Sequence, residues 1–418
     1  MTQGINLDSQ VERYLPRQIW VLLGVISREA NLLGQRLYLV GGIVRDLLLN
    51  HPNFDFDLVT EGDAIVLARR IASLTEAKLL VHPHFGTAKL SYDSFSMDIA
   101  TTRNETYAQP GVLPAVTPDN ISVDLFRRDF TINAMAISLN YDDYGILIDP
   151  CGGKSDLENR LIRILHPNSF HDDATRILRA FRYQQRLGFE FESQTGQLIK
   201  RDITMLDTIS GDRLRDELEL VFKEKYPEYI LEKLGEVGVL RVINSSLKYQ
   251  ENICEEYRKA RSFNNIASQL PSLYLCLLIY PLDEQELNQF IYRLNIQLKL
   301  ARAFRDTIKL KGELCLLADS SIKCSSIYYL LHKYDQLAIR TNAIVSTSTV
   351  VESNIELFES KLRYVKTSIN GDDLRDMDIH TGPAIGNILH IVHKAKLDGE
   401  VSSKSEELRL AQSIKTKE

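Results

Sequence analysis

Asp55-Phe56-Asp57 puts two carboxylates at i and i+2. On a β-strand that spacing points both to one face and sends Phe54, Phe56 and Leu58 to the other. Two like charges on a rigid platform favour a hard divalent cation, and ligation by oxygen alone suits Mg2+ bridging substrate phosphates. Ions held this way activate an attacking hydroxyl and neutralise a leaving pyrophosphate. Asp98, in Ser96-Met97-Asp98-Ile99, is a candidate third carboxylate, suited to helping remove the hydroxyl proton, although a solvated strand acid explains it equally well. Just upstream, Gly41-Gly42-Ile43-Val44-Arg45 follows an apolar run. A strand, two glycines and a helix start present backbone N–H groups to a phosphate, and Arg45 adds a charge-assisted donor. Gly-Gly turns are common, so this pair gains weight only from the acids beside it. Arg127-Arg128 are costly to bury without anions and suit a triphosphate or a sugar, with a salt bridge to Asp124 or Asp129 as the plainer explanation.

The most specific pattern is Asp172-Asp173-Ala174-Thr175-Arg176, continued by Arg179 and Arg182. Asp173, Arg176, Arg179 and Arg182 recur every three residues, while Ile177, Leu178 and Phe181 take the apolar face, so one helix side is expected to show an acid followed by arginines. Surface ion-pair ladders share this look. The alternative is base selection. An arginine donates, and so meets adenine N1 or cytosine N3 and O2; an ionised aspartate accepts, and so meets the adenine or cytosine amine. Guanine and uracil present the opposite pattern and would leave groups unpaired. Side chains would then replace a nucleic-acid template.

These residues need elements to position them. Apolar positions at helical spacing (Leu15, Ile19, Leu22, Leu23, Ile26) predict an opening helix over 11–35. Residues 37–40 and 54–60 read as strands, 63–75 as a helix, and 77–101 as three further short strands. Pro110, Gly111, Pro114 and Pro118 predict a loop over 104–120. Beyond Asp149-Pro150 the strand signal fades and the pattern becomes mainly helical, as in 174–189, 213–225 and 285–312. The run 341–351 is rich in β-formers without strand neighbours, and the residues from about 402 are expected to fray.

With 418 residues the chain has room for two to four domains. Apolar residues make up 44% and charged residues 25%, which excludes a disordered or collagenous protein. Lysine and arginine total 50 against 56 acids, so any affinity for phosphate must come from local patches. Five scattered cysteines, an odd number with no C-x-x-C pair, argue against a disulfide framework or a zinc site. The charge-free run 262–282 is interrupted by Pro271 and Pro281 and reads as buried helix, not as a membrane span. A soluble cytoplasmic protein is the expectation.

LVGGIVRD, FDFD, RRDFTINAMA and DDATRILRAFRY, in this order and spacing, resemble the class II tRNA nucleotidyltransferases of the polymerase β superfamily, with bacterial poly(A) polymerases as near relatives. The match is strong over about 37–190; GDRLRDELELVF (211–222) and residues 369–392 look like later segments of the same family. The resemblance implies an α+β protein. A polymerase-β-like nucleotidyltransferase head, a small mixed sheet with helices, would occupy 1–150. A helical neck with the nucleotide-selecting motif would span 151–215, and a helical body and tail that bind tRNA would span 216–418. It implies addition of CCA, or of its terminal A, to tRNA 3′ ends from CTP and ATP with Mg2+. Asp55 and Asp57 would be the catalytic metal ligands; Gly42, Arg45 and Arg128 would contact the nucleotide; Asp173, Arg176, Arg179 and Arg182 would form the protein template and its phosphate partners. Two positions depart from the family pattern: Asp172 stands where glutamate is usual and Tyr183 where phenylalanine is usual, and neither removes a needed donor or acceptor. The 23 residues between Arg103 and Arg127 retain a loop that enzymes adding only CC have shortened, which leaves both CCA and A addition open. Lys299, Arg302, Arg305, Lys309 and Lys311 are basic candidates for holding the tRNA arm by phosphate contacts. A poly(A) polymerase is the nearest rival reading. A catalytically silent RNA-binding relative is the remote one, since it would be expected to have lost the carboxylates that Asp55 and Asp57 supply.

Overall fold

The computed structural model describes residues 5–52, 55–92, 95–262, 269–377, 379 and 382–415. Phe54, expected on the apolar face beside Phe56, lies outside them. The chain divides into two compact units, residues 1–243 and 244–418.

The first unit is built on a seven-stranded mixed sheet. Its strands are β1 (Arg36–Val40), β2 (Asp55–Glu61), β3 (Lys78–His82), β4 (Thr87–Ser91), β5 (Ser96–Thr101), β8 (Ala136–Ser138) and β9 (Leu147–Ile148), in the order β3-β4-β5-β2-β1-β8-β9. β6 (Arg103–Thr106) and β7 (Ala115–Pro118) form a separate antiparallel hairpin. β2 lies antiparallel to β1 and parallel to β5, in a register that sets Asp57 beside Asp98. Alternation along β2 buries Phe56 and Leu58 almost completely and leaves Asp55 exposed. That face is covered by apolar helices, among them Ala64–Thr75, whose start is capped by the Asp63 carboxylate accepting from the N–H groups of Ile65 and Val66. With one face anchored in the core, a slip by one residue would bury both aspartates, so the register is strongly specified.

After the sheet the unit is mainly helical; the neck expected to be all helix also holds one short parallel strand pair, Leu161–Ile162 against Glu190–Phe191, which the local sequence did not announce because its two strands have only two residues each. The helix Thr175–Leu187 buries Ile177, Leu178, Ala180 and Phe181 and stops at Gly188, whose φ of 67° closes the last turn in the left-handed region. The helix Gly211–Phe222 packs beside it.

The second unit is helical throughout its described residues. One core joins Leu310, Leu317, Ile327, Leu331, Val351, Ile355 and Phe358; another joins Ile369, Leu374, Ile388, Val392 and Ala411. The run 262–282 contains the helix Leu270–Ile279, buried nearly all round with Pro271 in its first turn, where a missing N–H costs nothing. No helix among the described residues is long and apolar enough to cross a membrane.

Two expectations are corrected, and one run that the sequence left unassigned is placed. The segment 104–120 is loop over 107–114, where Pro110 and Pro114 fall, but its two ends pair as a hairpin, with Pro118 ending β7 opposite Arg103. The β-branched run 341–351, which has no strand neighbours, lies in the helices Gln336–Val345 and Thr349–Ser360 and the turn between them; the first buries Ala338, Ile339 and Asn342 at helical spacing and the second Val351, Ile355 and Phe358. The tail from 402 is ordered as the helix Lys404–Lys415, docked through Leu408, Ala411 and Ile414. Glu407 ties it down, accepting from the N–H groups of Ser368 and Ile369 and pairing with Lys396 at 2.6 Å.

Candidate active site

The carboxylates come first. Asp55, Asp57 and Asp98 each offer an oxygen within 4.8 Å of the other two, the one such cluster among the described residues. Asp57 is pushed up to about 6, first by burial and then by the charge of Asp55, with Arg128 opposing. An acid held up in this way, beside two more, is a site that a cation relieves. The β4–β5 register sets Lys89 against Asp98, and its Nζ lies 3.2 Å from Oδ2. That pair was not legible from local sequence, since it depends on which strands neighbour each other.

The glycine turn works differently from the expectation. Gly41, not Gly42, carries the strained backbone, with φ at 75°. A Cβ there would sit 2.9 Å from Nη1 of Arg128, so Gly41 lets this guanidinium lie against the main chain. Gly42 opens the short helix Gly42–Leu48. Arg45 is buried and largely committed to protein: Nε and Nη2 donate to the two oxygens of Asp46 at 2.8 Å each, and Nη1 donates to Asn133 at 2.8 Å. Its guanidinium also lies 5.2 Å from the centre of the Tyr183 ring.

Arg127 and Arg128 share the fully buried Asp124, whose oxygens accept from Arg127 at 2.7 Å and from Arg128 at 3.0 Å. Burial pushes the Asp124 carboxyl up, but the two guanidinium groups together hold it below its ordinary value. The salt-bridge explanation for this arginine pair is therefore correct for most of its donors. Nε of Arg128 is the exception: it is buried with no hydrogen-bond partner.

Asp173 does not belong to the arginine helix. It has extended backbone one residue before the helix cap. Its Oδ1 accepts from the N–H and hydroxyl of Thr175 at 3.0 and 2.6 Å, and its Oδ2 pairs with Nη2 of Arg213 at 2.8 Å. Arg176 donates to Ser169 Oγ at 2.6 Å and to the Arg127 carbonyl at 2.9 Å. Arg179 is bound to Asp129 at 2.6 Å, whose charge holds it above its ordinary value, and lies 3.7 Å from Glu217. Arg182 reaches Glu217 at 3.5 Å, and its Nε, 3.7 Å from Glu224, is buried without a hydrogen-bond partner.

Nine of the residues singled out in the sequence nonetheless line one cavity of about 720 Å3: Gly42, Arg45, Asp55, Asp57, Arg128, Asp173, Arg176, Arg179 and Arg182; Asp98 joins the carboxylate cluster without lining it. That is room for a nucleotide. Carboxylates stand on the sheet side, guanidinium groups on the helix side, and the two buried Nε donors still need acceptors, which a phosphate would supply. Glu105 and Tyr107 also line it, and sequence reasoning missed them. Arg213 was missed too: it sits forty residues beyond its partner and connects Asp173 to the hairpin tip, donating to the Gly111 carbonyl at 3.3 Å.

The sequence profile of the poly(A) polymerase head domain matches residues 37–163, and that of a probable RNA and SrmB-binding site of polymerase A matches 188–250. An A-adding tRNA nucleotidyltransferase of Geobacter sulfurreducens is 33% identical over 419 residues, covering 96% of this chain and 48% of that protein. This chain spans about half the length of the first curated relatives it matches. A solved CCA-adding enzyme without ligand is 30% identical with a TM-score of 0.84, covering 99% of this chain and all of that one. A Thermotoga maritima CCA-adding enzyme complexed with tRNA-CCA is 29% identical with a TM-score of 0.78, covering 99% and 100%.

Proposed function

Because this chain belongs to the CCA-adding family of tRNA nucleotidyltransferases, we propose that it adds nucleotides to tRNA 3′ ends without a nucleic-acid template, using ATP and CTP. The observation that carries this reading is the meeting, in one cavity, of the Asp55–Asp57 carboxylate pair with Arg128, Asp173, Arg176, Arg179 and Arg182. The Geobacter relative, whose match covers nearly the whole chain, favours addition of the terminal A. The solved CCA-adding enzyme, matched over its full length, favours the complete CCA.

The three carboxylates fit a hard divalent cation, and we assign Mg2+ to Asp55 and Asp57. When bound, it would neutralise the triphosphate and lower the pKa of the attacking hydroxyl. The tRNA 3′ oxygen forms a bond to the α-phosphorus, the bond from that phosphorus to the β-phosphate oxygen breaks, and pyrophosphate leaves. We assign the hydroxyl proton to Asp98, which Lys89 steadies. Arg128 and Arg182 offer their free Nε–H groups to phosphate oxygens. Arg45 buttresses the glycine turn, with Gly42 at the start of its helix against the nucleotide. Arg179 fixes the helix against Asp129. Asp173 and Arg176 read the base, accepting A and C and rejecting G and U. In this reading residues 1–150 are the catalytic head, 151–215 the neck, and 216–418 the body and tail that hold the tRNA arm. Five unpaired cysteines and a tRNA substrate suit the cytoplasm.

The test is to offer tRNA ending in the discriminator base, in C or in CC, with CTP or ATP alone, and to size the products. One A added to the CC end and nothing added to the others is expected for A addition; stepwise C, C and A for the complete reaction. A long adenylate ladder would mean poly(A) synthesis, and no extension of any substrate would overturn the proposal.

A further inference from the structure

Tyr183 follows Arg176 and Arg179 at spacings of three and four, which keeps it on their stripe of the helix Thr175–Leu187. It lines the same cavity. The residue is only 8% exposed, and its ring meets Phe130 edge to face with centres 5.8 Å apart. Cations surround the ring: the guanidinium carbons of Arg45, Arg182 and Arg186 lie 5.2, 5.5 and 5.9 Å from its centre. The ring packs as the phenylalanine usual at this position would, so the hydroxyl is the added group. Among the described residues no protein group forms a hydrogen bond of good geometry with it, yet it is not one of the buried polar atoms left without a partner; its oxygen opens to the cavity. Burial presses the Arg45 guanidinium down, but Asp46 and then Tyr183 hold it above its ordinary value. Tyr183 acts in the same direction on Arg179, after Asp129 and against burial. A phenol oxygen beside two guanidinium groups turns its lone pairs to them and its proton away. Asp129 and Glu217, which could take that proton, are engaged by Arg179.

We infer that the Tyr183 hydroxyl donates its proton to a phosphate oxygen of the incoming nucleoside triphosphate, beside the Arg182 guanidinium. The cationic surroundings select phosphate over sugar or base, since neither ribose nor a neutral base gains from three guanidinium groups at close range. A neutral donor adds direction to that contact without adding a charge that would need its own partner. The inference rests on the nucleotidyl-transfer reading above and deepens it by giving a binding role to the hydroxyl through which this chain departs from the family pattern.

The experiment is isothermal titration calorimetry of the whole protein with ATP, CTP and inorganic triphosphate, each with Mg2+ and without tRNA. Because no tRNA is present, a parent chain that binds ATP but extends no tRNA would fail the catalytic reading and leave this comparison standing. Tyr183→Phe removes one oxygen and keeps the ring, so thermal melting of the ligand-free protein should match the parent chain. Loss of a hydrogen bond to a charged group should weaken all three ligands by the same factor, about tenfold. Inorganic triphosphate carries neither sugar nor base, so its loss isolates the phosphate contact. Unchanged affinity for all three ligands would overturn the inference. So would weaker binding of ATP and CTP with unchanged binding of triphosphate, which would put the hydroxyl on the sugar or the base. A uniform loss that comes with a lower melting temperature of the ligand-free protein would also overturn it, since the hydroxyl would then be holding the fold and not the ligand.

Discussion

Arg213→Ala removes the guanidinium that lies 2.8 Å from Oδ2 of Asp173. Oδ1 keeps its two bonds from Thr175, so the carboxylate stays at the helix start but its second oxygen is no longer aimed. Both side chains are mostly shielded, 27% and 19% exposed, and a charge-assisted hydrogen bond in such a setting is worth about 1.5–3 kcal/mol. If roughly half of the upper figure reaches the transition state, discrimination falls by about 1.4 kcal/mol, or about tenfold in a ratio of kcat/KM values. The assay is single-nucleotide addition to tRNA ending in CC, with ATP and with GTP. The ATP-to-GTP ratio should fall about tenfold while KM for tRNA holds, and Arg213→Lys should recover part of the loss. An unchanged ratio in a variant that melts normally would refute the argument that Arg213 sets the direction in which Asp173 accepts.

Three further outcomes are expected. Asp55→Ala combined with Asp57→Ala should reduce extension by at least about a thousandfold, since metal-assisted charge neutralisation supplies several kcal/mol; measurable turnover above that level would remove the metal assignment. Gly111→Ala should loosen the hairpin tip, because φ is +77° and a Cβ would lie 2.4 Å from the Thr208 carbonyl; a cost of about 1 kcal/mol or more should appear as faster hydrogen exchange across 107–114. Asp124 and Asp129 are both held below the ordinary carboxylate range, burial being outweighed by Arg128 and Arg127 in one and by Arg179 in the other. The unfolded chain therefore takes up their protons first as pH falls. Their stabilisation is complete above about pH 4, the ordinary aspartate value, and is lost as pH drops through their folded values. Asp124→Asn should flatten that acid limb in urea melts followed from pH 6 to pH 2.

The carboxylate strand was readable because its chemistry and its packing share one period: Phe56 and Leu58 alternate with Asp55 and Asp57, and burial of the first pair presents the second. The arginine helix was readable for the same reason at its own period. Spacing places Asp173 on that helix, but the structure starts the helix only after it, with the Asp173 carboxylate accepting from the Thr175 N–H, a first-turn donor that has no partner within the helix. Contacts made by strand order or by chain return carried no local sign. Lys89 meets Asp98 only because β4 and β5 are neighbours, and Arg213 meets Asp173 only because the helix Gly211–Phe222 folds back. Residues 341–351 could not be assigned because β-propensity measures fit to a half-buried pleated surface, and here the neighbours are helices. The tail misled because one buried carboxylate, Glu407, anchors a segment whose composition is polar.

The pairing within the cavity bears on how a polyanionic substrate is held. Seven arginines line it, but six acids line it as well, so its summed charge is nearly balanced and cannot by itself attract a triphosphate strongly. Much of the arginine charge is spent inside the protein: Arg45 on Asp46, Arg127 on Asp124, Arg179 on Asp129. Those pairs fix guanidinium positions in a setting where an unpaired charge would be costly. The Nε groups of Arg128 and Arg182 are buried and no protein acceptor satisfies them; in the proposed reading the triphosphate does. Positive charge would then arrive mainly with the cation at Asp55 and Asp57, which also removes the repulsion those two acids would exert on phosphate. In the proposed reading the arginines would decide where the triphosphate lies and the metal how strongly it is held, and the near balance of charge would keep the cavity from retaining a polyanion that has no metal with it.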